Sequence, residues 1–301
     1  MPVWIVASIF AAFMQNLRFL LQRHLKVTTL STGGATWARF LYSAPLVAVL
    51  VLVYAGASGQ GWPGTNARFW GFVVTGGLAQ MLATACVVAL FARRNFTVGI
   101  TLKKTEVILT AGFGLLILGE AVSASVLVAI VVGFVGVLLL SDPPKGAVPL
   151  RWRARIFNAA SGYGLASGVL FGISAVGYRG ASLALEAGDV MLRASFTLSA
   201  ATAVQTLILG LWLFLREREE IGKVVASWRV SALVGLTSMA GSLGWFIAFT
   251  LQTAALVKAV GQVELVFTFL FWLKERSSGK EIAGIALILV SLGIIIAGTL
   301  L

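Results

Sequence analysis

Charged residues are scarce in this 301-residue chain, and cysteine and histidine are almost absent. Only 11% of the residues are charged, whereas about a quarter are charged in an ordinary soluble domain. The single cysteine, Cys86, excludes an intramolecular disulfide. With His24 as the one histidine, a Cys/His metal site is not expected either. These absences argue against a disulfide-stapled domain and against a zinc protein, and no cofactor is predicted.

Hydrophobic side chains dominate the rest of the chain, at 59% of the residues and a mean hydropathy of +0.97. This composition is typical of a polytopic membrane protein, whose apolar helices pack together within lipid. The net charge of +12 is also what a nucleic-acid-binding protein would carry. The basic residues, however, lie in short loops between apolar runs, as the positive-inside rule requires. The expected partner is therefore the lipid bilayer, not nucleic acid.

Ten apolar runs are long enough to cross a bilayer, whose hydrocarbon core takes about 20 helical residues to span. They cover residues 3–21, 33–55, 69–91, 97–118, 123–140, 160–183, 190–214, 230–252, 254–273 and 281–300. Only residues 142–158, with three prolines and three arginines, have the composition of a linker. The linker separates two five-helix units, residues 1–141 and 159–301.

The two units match each other at a constant shift of 158 positions. Residues 77–81 correspond to residues 235–239, and two pairs of polar residues share the same shift: Glu106 with Glu264, and Thr110 with Thr268. Because five is odd, two consecutive units cross the membrane in opposite senses, as in the inverted repeats of transporters. The predicted fold is an all-α integral membrane protein with ten transmembrane helices, arranged as two inverted five-helix repeats around a central cavity.

The basic loops change parity between the two units. They follow helices 1 and 3 in the first unit and helices 7 and 9 in the second. Inversion requires this switch, and it puts these loops and the linker on one side of the membrane. We expect that side to be the cytoplasm. Both termini would then be extracytoplasmic, in a multi-pass protein of the cell (inner) membrane.

Short motifs recur before the last helix of each unit. Residues 118–120 read Leu-Gly-Glu and residues 273–275 read Leu-Lys-Glu, each ahead of a glycine-rich helix, and Arg39-Phe40 lies early in helix 2. Together with the ten helices, these features resemble the EamA-like branch of the drug/metabolite transporter (DMT) superfamily. The resemblance implies a basket of helices around a substrate cavity, lined mainly by the first four helices of each half. Many bacterial members resemble metabolite exporters, and others import or exchange their substrates. Well-known members are usually drawn with both termini cytoplasmic, and the charges of this chain argue for the reverse.

Two glutamates lie where a carboxylate is costly. Glu106 and Glu264 are each about ten residues into a helix, near the bilayer midplane. A charge there costs at least roughly 2.5–3.5 kcal/mol, so it usually faces a cavity. Both are candidates for binding substrate and for carrying a proton, and the alternative is that each fastens neighbouring helices. Lys103 is also a candidate substrate-binding residue and can pair with Glu106, whereas Gly261 stands at the matching position before Glu264. Without such a partner, Glu264 is the favoured proton carrier.

Four further side chains are candidate substrate-binding residues. Lys258 on helix 9 can meet a substrate carboxylate or pair with another helix. Asn16, Gln80 and Trp245 lie deep in helices 1, 3 and 8, where polar side chains more often bond to neighbouring helices than to ligands. Arg39 lies near the start of helix 2, and we expect it to reach the headgroups or to pair helices.

Two other motifs have structural interpretations. Glu120 and Glu275 precede the last helix of each unit and are expected to favour its N-terminus through the helix dipole. Residues 168–172, Gly-Val-Leu-Phe-Gly, fit the small-residue motif for close helix packing. That motif works within one chain or between two, so both a monomer and a homodimer stay open.

The function predicted from these features is secondary active transport. The sequence has neither a nucleotide-binding motif nor the convergent His, nucleophile or metal-ligand set that an intramembrane enzyme needs. Candidate lysines outnumber the two midplane glutamates, which favours an amino-acid-like zwitterion or small organic metabolite over a cation. We expect export with proton exchange by alternating access. The alternatives are a facilitative or exchange importer of metabolites and a carrier of organic cations or polyamines.

The orientation gives the first testable prediction. A reporter that is active only outside the cytoplasm, fused after Leu301, should be active, because the basic loops hold the opposite face in the cytoplasm. The same reporter inserted after Arg218, in a basic loop, is the matched control and should be silent. The reverse pattern of activity would contradict the orientation.

Overall fold

The computed structural model describes residues 1–93, 96–140, 158–267 and 279–300, and these residues form helices and short connections without a β-strand. Predicted features at residues 142–157, Thr268 and Glu275 lie outside the described residues. The α-helices are Val3–Thr28 (α1), Thr32–Ser58 (α2), Ala67–Leu90 (α3), Phe96–Lys103 (α4), Glu106–Phe113 (α5), Ala124–Leu140 (α6), Ala159–Ala184 (α7), Val190–Arg216 (α8), Arg218–Ala226 (α9), Trp228–Leu251 (α10), Ala254–Val260 (α11) and Gly279–Leu300 (α12). A π-helical turn, Gly114–Leu118, follows α5, and a 3₁₀ turn, Gly261–Val263, follows α11.

Six helices in the described part of the chain are long and apolar enough to cross a membrane, namely α1, α2, α3, α7, α8 and α10. Two shorter apolar segments, Ala124–Leu139 and Ile282–Gly298, lie in α6 and α12. The chain is therefore an all-α, multi-pass membrane protein. Ten continuous helices are not found, because the predicted spans 97–118 and 254–273 are interrupted and the short helix α9 is additional.

Side-chain caps fix where four of the long helices begin. Ser31, Asn66, Asn158 and Asp189 stand directly before α2, α3, α7 and α8, and each accepts a hydrogen bond from a backbone N–H three residues on, at 2.8–3.0 Å. Residues with a short oxygen-bearing side chain are the preferred N-caps because they satisfy an otherwise unpaired donor. The polar residues between the apolar runs thus set the helix starts near the predicted positions.

Helices of the two halves interleave. Helix α1 packs along α10 and α3 along α7, while α2 contacts α8, α6 contacts α12, and α5 contacts α11. One apolar core runs through both halves and includes Ile5, Phe69, Tyr178 and Phe246. Each half therefore buries its apolar surface against the other, and neither forms a separate globular core.

Glycines allow the closest of these contacts. A Cβ on Gly177 of α7 would lie 2.9 Å from the Cα of Gly76 of α3, so the two backbones touch. Gly168 and Gly172 are the two ends of the small-residue motif. Gly168 faces the junction of α4 and α5, where a Cβ would meet the Lys103 carbonyl oxygen at 3.0 Å, and Gly172 faces α5 itself. This motif is thus used for packing within the chain.

Loops from different halves meet at two ends of the bundle. At one end, the start of α2 binds the region of α9: the Ser31 N–H donates to Glu220 (2.6 Å) and its hydroxyl donates to Glu217. At the other end, Tyr54 donates to Asp189 (2.6 Å). The connection after α1 and the one after α8 therefore share an end, as the basic-loop pattern predicts for them.

Glu220 gives the prediction for this part of the structure. Burial acts to raise its pKa, but hydrogen bonds from Lys223 and from Ser31 outweigh it and hold the pKa below its ordinary value. The charged form therefore stabilises the fold at neutral pH, and this contribution is lost as the pH falls through the lowered pKa. Glu220→Gln should lower the free energy of unfolding by about 1 kcal/mol at pH 7.

The measurement is the melting temperature of wild type and variant between pH 7 and pH 3. Their difference should shrink as the pH falls below the ordinary glutamate pKa of about 4.3, where the unfolded chain takes up a proton, and it should vanish below the lowered pKa of the folded state. Glu219→Gln, on the exposed face of the same helix, is the matched control and should change little. A difference that is the same at both ends of the pH range would contradict the assignment.

Candidate functional site

Two helices are interrupted immediately before Glu106 and Glu264. Helix α4 ends at Lys103 and α5 begins at Glu106, with i→i+3 backbone bonds from Lys104 to Thr101 (3.0 Å) and from Thr105 to Leu102 (3.2 Å). In the second half, α11 gives way to the 3₁₀ turn before residues 264–267 continue as helix. Residues 103–105 and 261–263 are related by the shift of 158 positions between the two units, so the interruptions lie at equivalent positions.

Crossed ion pairs join the two interrupted helices. The Nζ of Lys104 lies 2.8 Å from Oε1 of Glu264, and the Nζ of Lys258 lies 2.7 Å from Oε1 of Glu106. Lys103 lies between the carboxylates, with its Nζ 3.7 Å from Glu106 and 3.8 Å from Glu264. These five residues, which we call the ion cluster, are all buried. Each glutamate is thus neutralised by a lysine that precedes the other glutamate in the chain.

The ion cluster corrects one step of the sequence reasoning. Glu264 was expected to lack a cationic partner because Gly261 replaces the lysine, but Lys104 of the other half supplies one. Glu106 pairs more closely with Lys258 than with its neighbour Lys103. In a regular helix consecutive lysines point about 100° apart, whereas the turn at residues 104–105 brings both lysines to the same carboxylate.

Two neighbouring residues of α1 bind Glu264. The Gln15 amide donates to Oε2 of its carboxylate at 2.6 Å, and the Asn16 amide donates to its backbone carbonyl at 3.3 Å. Gln15 lines the cavities described below, whereas Asn16, the predicted substrate-binding residue, is not part of their lining. Asn16 therefore holds α1 to the backbone around Glu264.

A small polar cavity lies beside the ion cluster. It is lined by residues of α1, α2, α3, α7, α10 and α11, among them the predicted Gln80, Trp245 and Lys258, and by Arg39. None of the described residues that line it is acidic. The space open to the centre of a water molecule is only about 20 Å³, which is room for roughly one water. In this conformation the cavity is occluded and cannot hold a metabolite.

A second, smaller cavity lies within the ion cluster itself. Its open space is about 10 Å³, and its lining includes the five cluster residues, Gln15, Trp245 and Gln262. Both side-chain polar atoms of Gln262 are buried and lack a hydrogen-bond partner among the described residues. Such a group is costly to leave unsatisfied. The junction after α11 is therefore polar and incompletely paired in this conformation.

Arg39 lies deep in the bundle and connects helices α2, α3 and α10, which is one of the two roles expected for it, the other being contact with the headgroups. It is 3% exposed, and it donates to hydroxyl groups of three side chains: Ser238 at 2.9 Å, Thr84 at 2.8 Å and Ser242 at 3.4 Å. No carboxylate of the described residues forms an ion pair with it. Arg39 is thus a buried cation with neutral partners at the wall of the occluded cavity.

Arg18 is a buried cation near the ion cluster that was not predicted from the sequence. It is 2% exposed, donates to Gln22 at 2.8 Å, and is close enough to Arg39 and Glu264 to interact with both electrostatically. The signal was present in the sequence, because residues 15, 18 and 22 share one helical face at spacings of three and four. That face of α1 turns towards the ion cluster.

Gln80 and Trp245 have distinct places in the cavity wall. The Gln80 carbonyl oxygen accepts hydrogen bonds from the Tyr178 hydroxyl and from the Gln205 amide, each at 3.0 Å. Trp245 lies against Lys258, whose Nζ is 4.7 Å from the ring centroid, and its indole N–H has no hydrogen-bond partner among the described residues. Gly261 makes room for this indole, because a Cβ there would collide with it.

A second arginine network ties down one end of the bundle. Arg179 of α7 binds the Glu120 carboxylate and donates to the backbone carbonyls of Phe249 (2.7 Å) and Gln252 (2.8 Å). Glu120, which was expected to favour the start of α6, therefore bonds to α7 instead, and the Ser123 hydroxyl accepts from the N–H of Val126 at that start (3.4 Å). Neither Arg179 nor Glu120 lines the cavities.

Comparison with known proteins informs the fold alone. No family model and no curated protein matches the chain. Among solved structures, 28 chains match it. One of them, described only as "Crystal structure of protein", covers 96% of this chain and 96% of its own length with a TM-score of 0.64 and 13% sequence identity. The helix arrangement is therefore one that a solved protein adopts along almost its whole length.

The ion cluster gives the prediction for the site. Lys258→Met removes the closest partner of Glu106, and breaking a buried pair in this way costs about 3–5 kcal/mol. Adding Glu106→Gln should restore most of the stability, because the unpaired charge is then gone. The measurement is the free energy of unfolding of the single and double variants of the purified protein.

Lys223→Met is the matched control. Lys223 also pairs with a glutamate at 2.8 Å, but its side chain is 49% exposed, and exposed pairs contribute only about 0–1 kcal/mol. If Lys258→Met costs no more than Lys223→Met, Lys258 and Glu106 do not form a buried pair in the protein.

Proposed function

We propose that this chain is a secondary transporter that moves a small organic solute across the cytoplasmic membrane by alternating access. The observation that carries the proposal is the ion cluster, because it joins two interrupted membrane helices directly beside an occluded polar cavity. Interrupted helices with ionisable residues at membrane depth are typical of transporter binding sites. Membership of the EamA-like branch of the DMT superfamily is part of the same proposal.

The proposed inverted repeat has support from the packing. In the proposed repeat, α1, α2 and α3 correspond to α7, α8 and α10. Exchanging each helix for its counterpart converts the α3–α7 contact into the α10–α1 contact. The contacts α2–α8, α5–α11 and α6–α12 each join a helix to its own counterpart and are unchanged. The same exchange places the interruption before Glu106 on the interruption before Glu264. This is the pattern expected of two inverted copies, ten helices in all, that pack around a pseudo-two-fold axis.

Opening the cavity is the step that the proposal requires. With room for about one water, the cavity needs an expansion before it can admit a solute. The crossed pairs Lys104–Glu264 and Lys258–Glu106 connect the two units beside the cavity, so separating the units there strains them. In the proposed cycle, solute binding and proton binding lower the cost of that separation.

Proton exchange enters through Glu106 and Glu264. While the lysines are in place, neither carboxylate needs a proton, because its charge is already neutralised. A carboxylate that loses its lysine in a dry interior is stabilised by taking up a proton. We therefore propose that each glutamate is protonated when its pair opens, and not while the cavity is occluded.

The charges favour an organic acid over the other candidate solutes. The cavity is lined by Arg39 and Lys258 without an acidic residue among the described ones, which suits an anionic group. An organic cation or polyamine would meet like charge there. The amino-acid-like zwitterion of the sequence analysis fits at its carboxylate, but its ammonium group finds no unengaged glutamate. Export is retained as the proposed direction, with both termini outside.

Reconstitution into liposomes tests the proposal. Vesicles that contain the protein should take up a radiolabelled solute from a panel of organic acids and amino acids with saturation, and preloading with the unlabelled solute should accelerate uptake. Glu264→Gln should retain this exchange but lose accumulation driven by a pH gradient, because it cannot bind the proton. Glu219→Gln, at an exposed site, should retain both activities. Uptake that neither saturates nor responds to preloading would indicate a channel and overturn the proposal.

A further inference from the structure

We propose that the occluded cavity recognises organic acids with a flat apolar or aromatic body and no ammonium group, and that Arg39 binds their acid group. This inference rests on the proposed transport function and names the substrate class of the same site. It goes beyond a general preference for anions, because it separates organic acids from amino acids and assigns the two ends of the solute to different walls of the cavity.

The buried charge is out of balance. Four buried cations line the two cavities, namely Arg39, Lys103, Lys104 and Lys258, against two carboxylates, those of Glu106 and Glu264. A buried charge is costly unless it is paired. The excess of positive charge among the described residues is therefore an unmet electrostatic demand, which an anionic solute satisfies and a neutral or zwitterionic solute does not.

Arg39 is the cation placed to receive the acid group. Its three partners are hydroxyl groups, which accept its hydrogen bonds without neutralising its charge. A guanidinium group has more N–H donors than these hydroxyls accept, and its planar shape matches a carboxylate. The hydroxyl of Ser242, which also lines the cavity, keeps its own proton to donate. This wall of the cavity is thus a cluster of donors around a fixed positive charge.

Aromatic rings form the other walls. Tyr178 and Phe246 are 4.4 Å apart between ring centroids, and Trp245 and Phe249 are stacked at 6.0 Å with an angle of 18° between their planes. All four rings and Phe171 line the cavity. Such surfaces favour a flat apolar body, because aromatic contacts add to the gain from burying apolar area. The unpaired indole N–H of Trp245 is one more donor and suits an acceptor on the solute.

An ammonium group has no corresponding place. The lining of the cavity holds no carboxylate among the described residues, and the charge of Arg39, whose partners are hydroxyl groups, would repel an amine. Glu106 and Glu264 can bind an amine only after giving up lysines at 2.7 and 2.8 Å. An amino acid therefore binds more weakly than the acid that differs from it only by lacking the amine.

Four small molecules separate these properties in a thermal-shift experiment on the purified full-length protein. 3-Phenylpropionate has the acid and the ring, L-phenylalanine adds the amine, phenethylamine has only the ring and the amine, and hexanoate has the acid without the ring. The melting temperature should rise most with 3-phenylpropionate. Half-saturation should need at least about tenfold more hexanoate or phenylalanine, and phenethylamine should have no effect. A stronger response to phenylalanine or phenethylamine, or no response to any of the four, overturns the inference.

Variants of Arg39 test its assigned role. Arg39→Gln should weaken 3-phenylpropionate binding about thirtyfold, the equivalent of about 2 kcal/mol for the loss of one partner of a buried charged contact. Arg39→Lys keeps the charge and is the second variant to measure if Arg39→Gln does not fold. It should bind 3-phenylpropionate with lower affinity but still prefer the acid over phenylalanine.

The control is Arg193→Gln. Arg193 donates to three backbone carbonyls at the end of α7, those of Ser182, Leu183 and Leu185, and it does not line the cavity. This variant should melt at a lower temperature but keep the full shift with 3-phenylpropionate. An equal loss of binding in Arg39→Gln and Arg193→Gln would contradict the role of Arg39.

Liposome uptake distinguishes failure of this inference from failure of the proposed function. If the protein exchanges phenylalanine or a polyamine but not 3-phenylpropionate, it is a transporter and the substrate class is wrong. If 3-phenylpropionate stabilises the protein through Arg39 but is not exchanged across the membrane, the binding site is right and the transport function is wrong.

Discussion

The pairing of buried lysines with buried glutamates across the two halves is the constraint on which the centre of this bundle depends. A single unpaired charge at this depth costs several kcal/mol. Because Lys104 serves Glu264 and Lys258 serves Glu106, neither half can satisfy its own carboxylate with its closest contact. The interleaved packing of the helices follows the same logic, since α1 and α7 each lie against helices of the other half.

The interrupted helices are what make this pairing possible. In an uninterrupted helix, Lys103 and Lys104 would diverge by about 100°, but the turn between α4 and α5 lets both approach Glu264. Small residues allow the turns to be packed: Gly168 lies against the Lys103 carbonyl, and Gly261 lies under the Trp245 indole. A larger residue at either glycine would push the interrupted helix away from its neighbour and lengthen the ion pairs.

Most helix boundaries could be predicted from the sequence, but the partners within the site could not. Apolar length and capping residues are local features, so the starts of α2, α3, α7 and α8 follow from them. The partner of Glu264 could not be predicted, because it depends on a helix interruption and on how the halves dock, neither of which leaves a periodic signal. The depth of Arg39 was missed for a related reason: its polar partners lie on α3 and α10, far away in sequence.

A cluster of matched pairs alone would hold the cavity shut, and Lys103 changes that balance. Its ammonium group lies 3.7 Å from one carboxylate and 3.8 Å from the other. Both distances are too long for a hydrogen bond. When the Lys258–Glu106 pair or the Lys104–Glu264 pair separates, the carboxylate that is left still has this cation beside it. Lys103 then offsets part of the cost of opening, and proton uptake by the freed carboxylate offsets a further part. A shared third lysine therefore allows the two pairs to open one at a time, as a cavity that faces alternate sides requires.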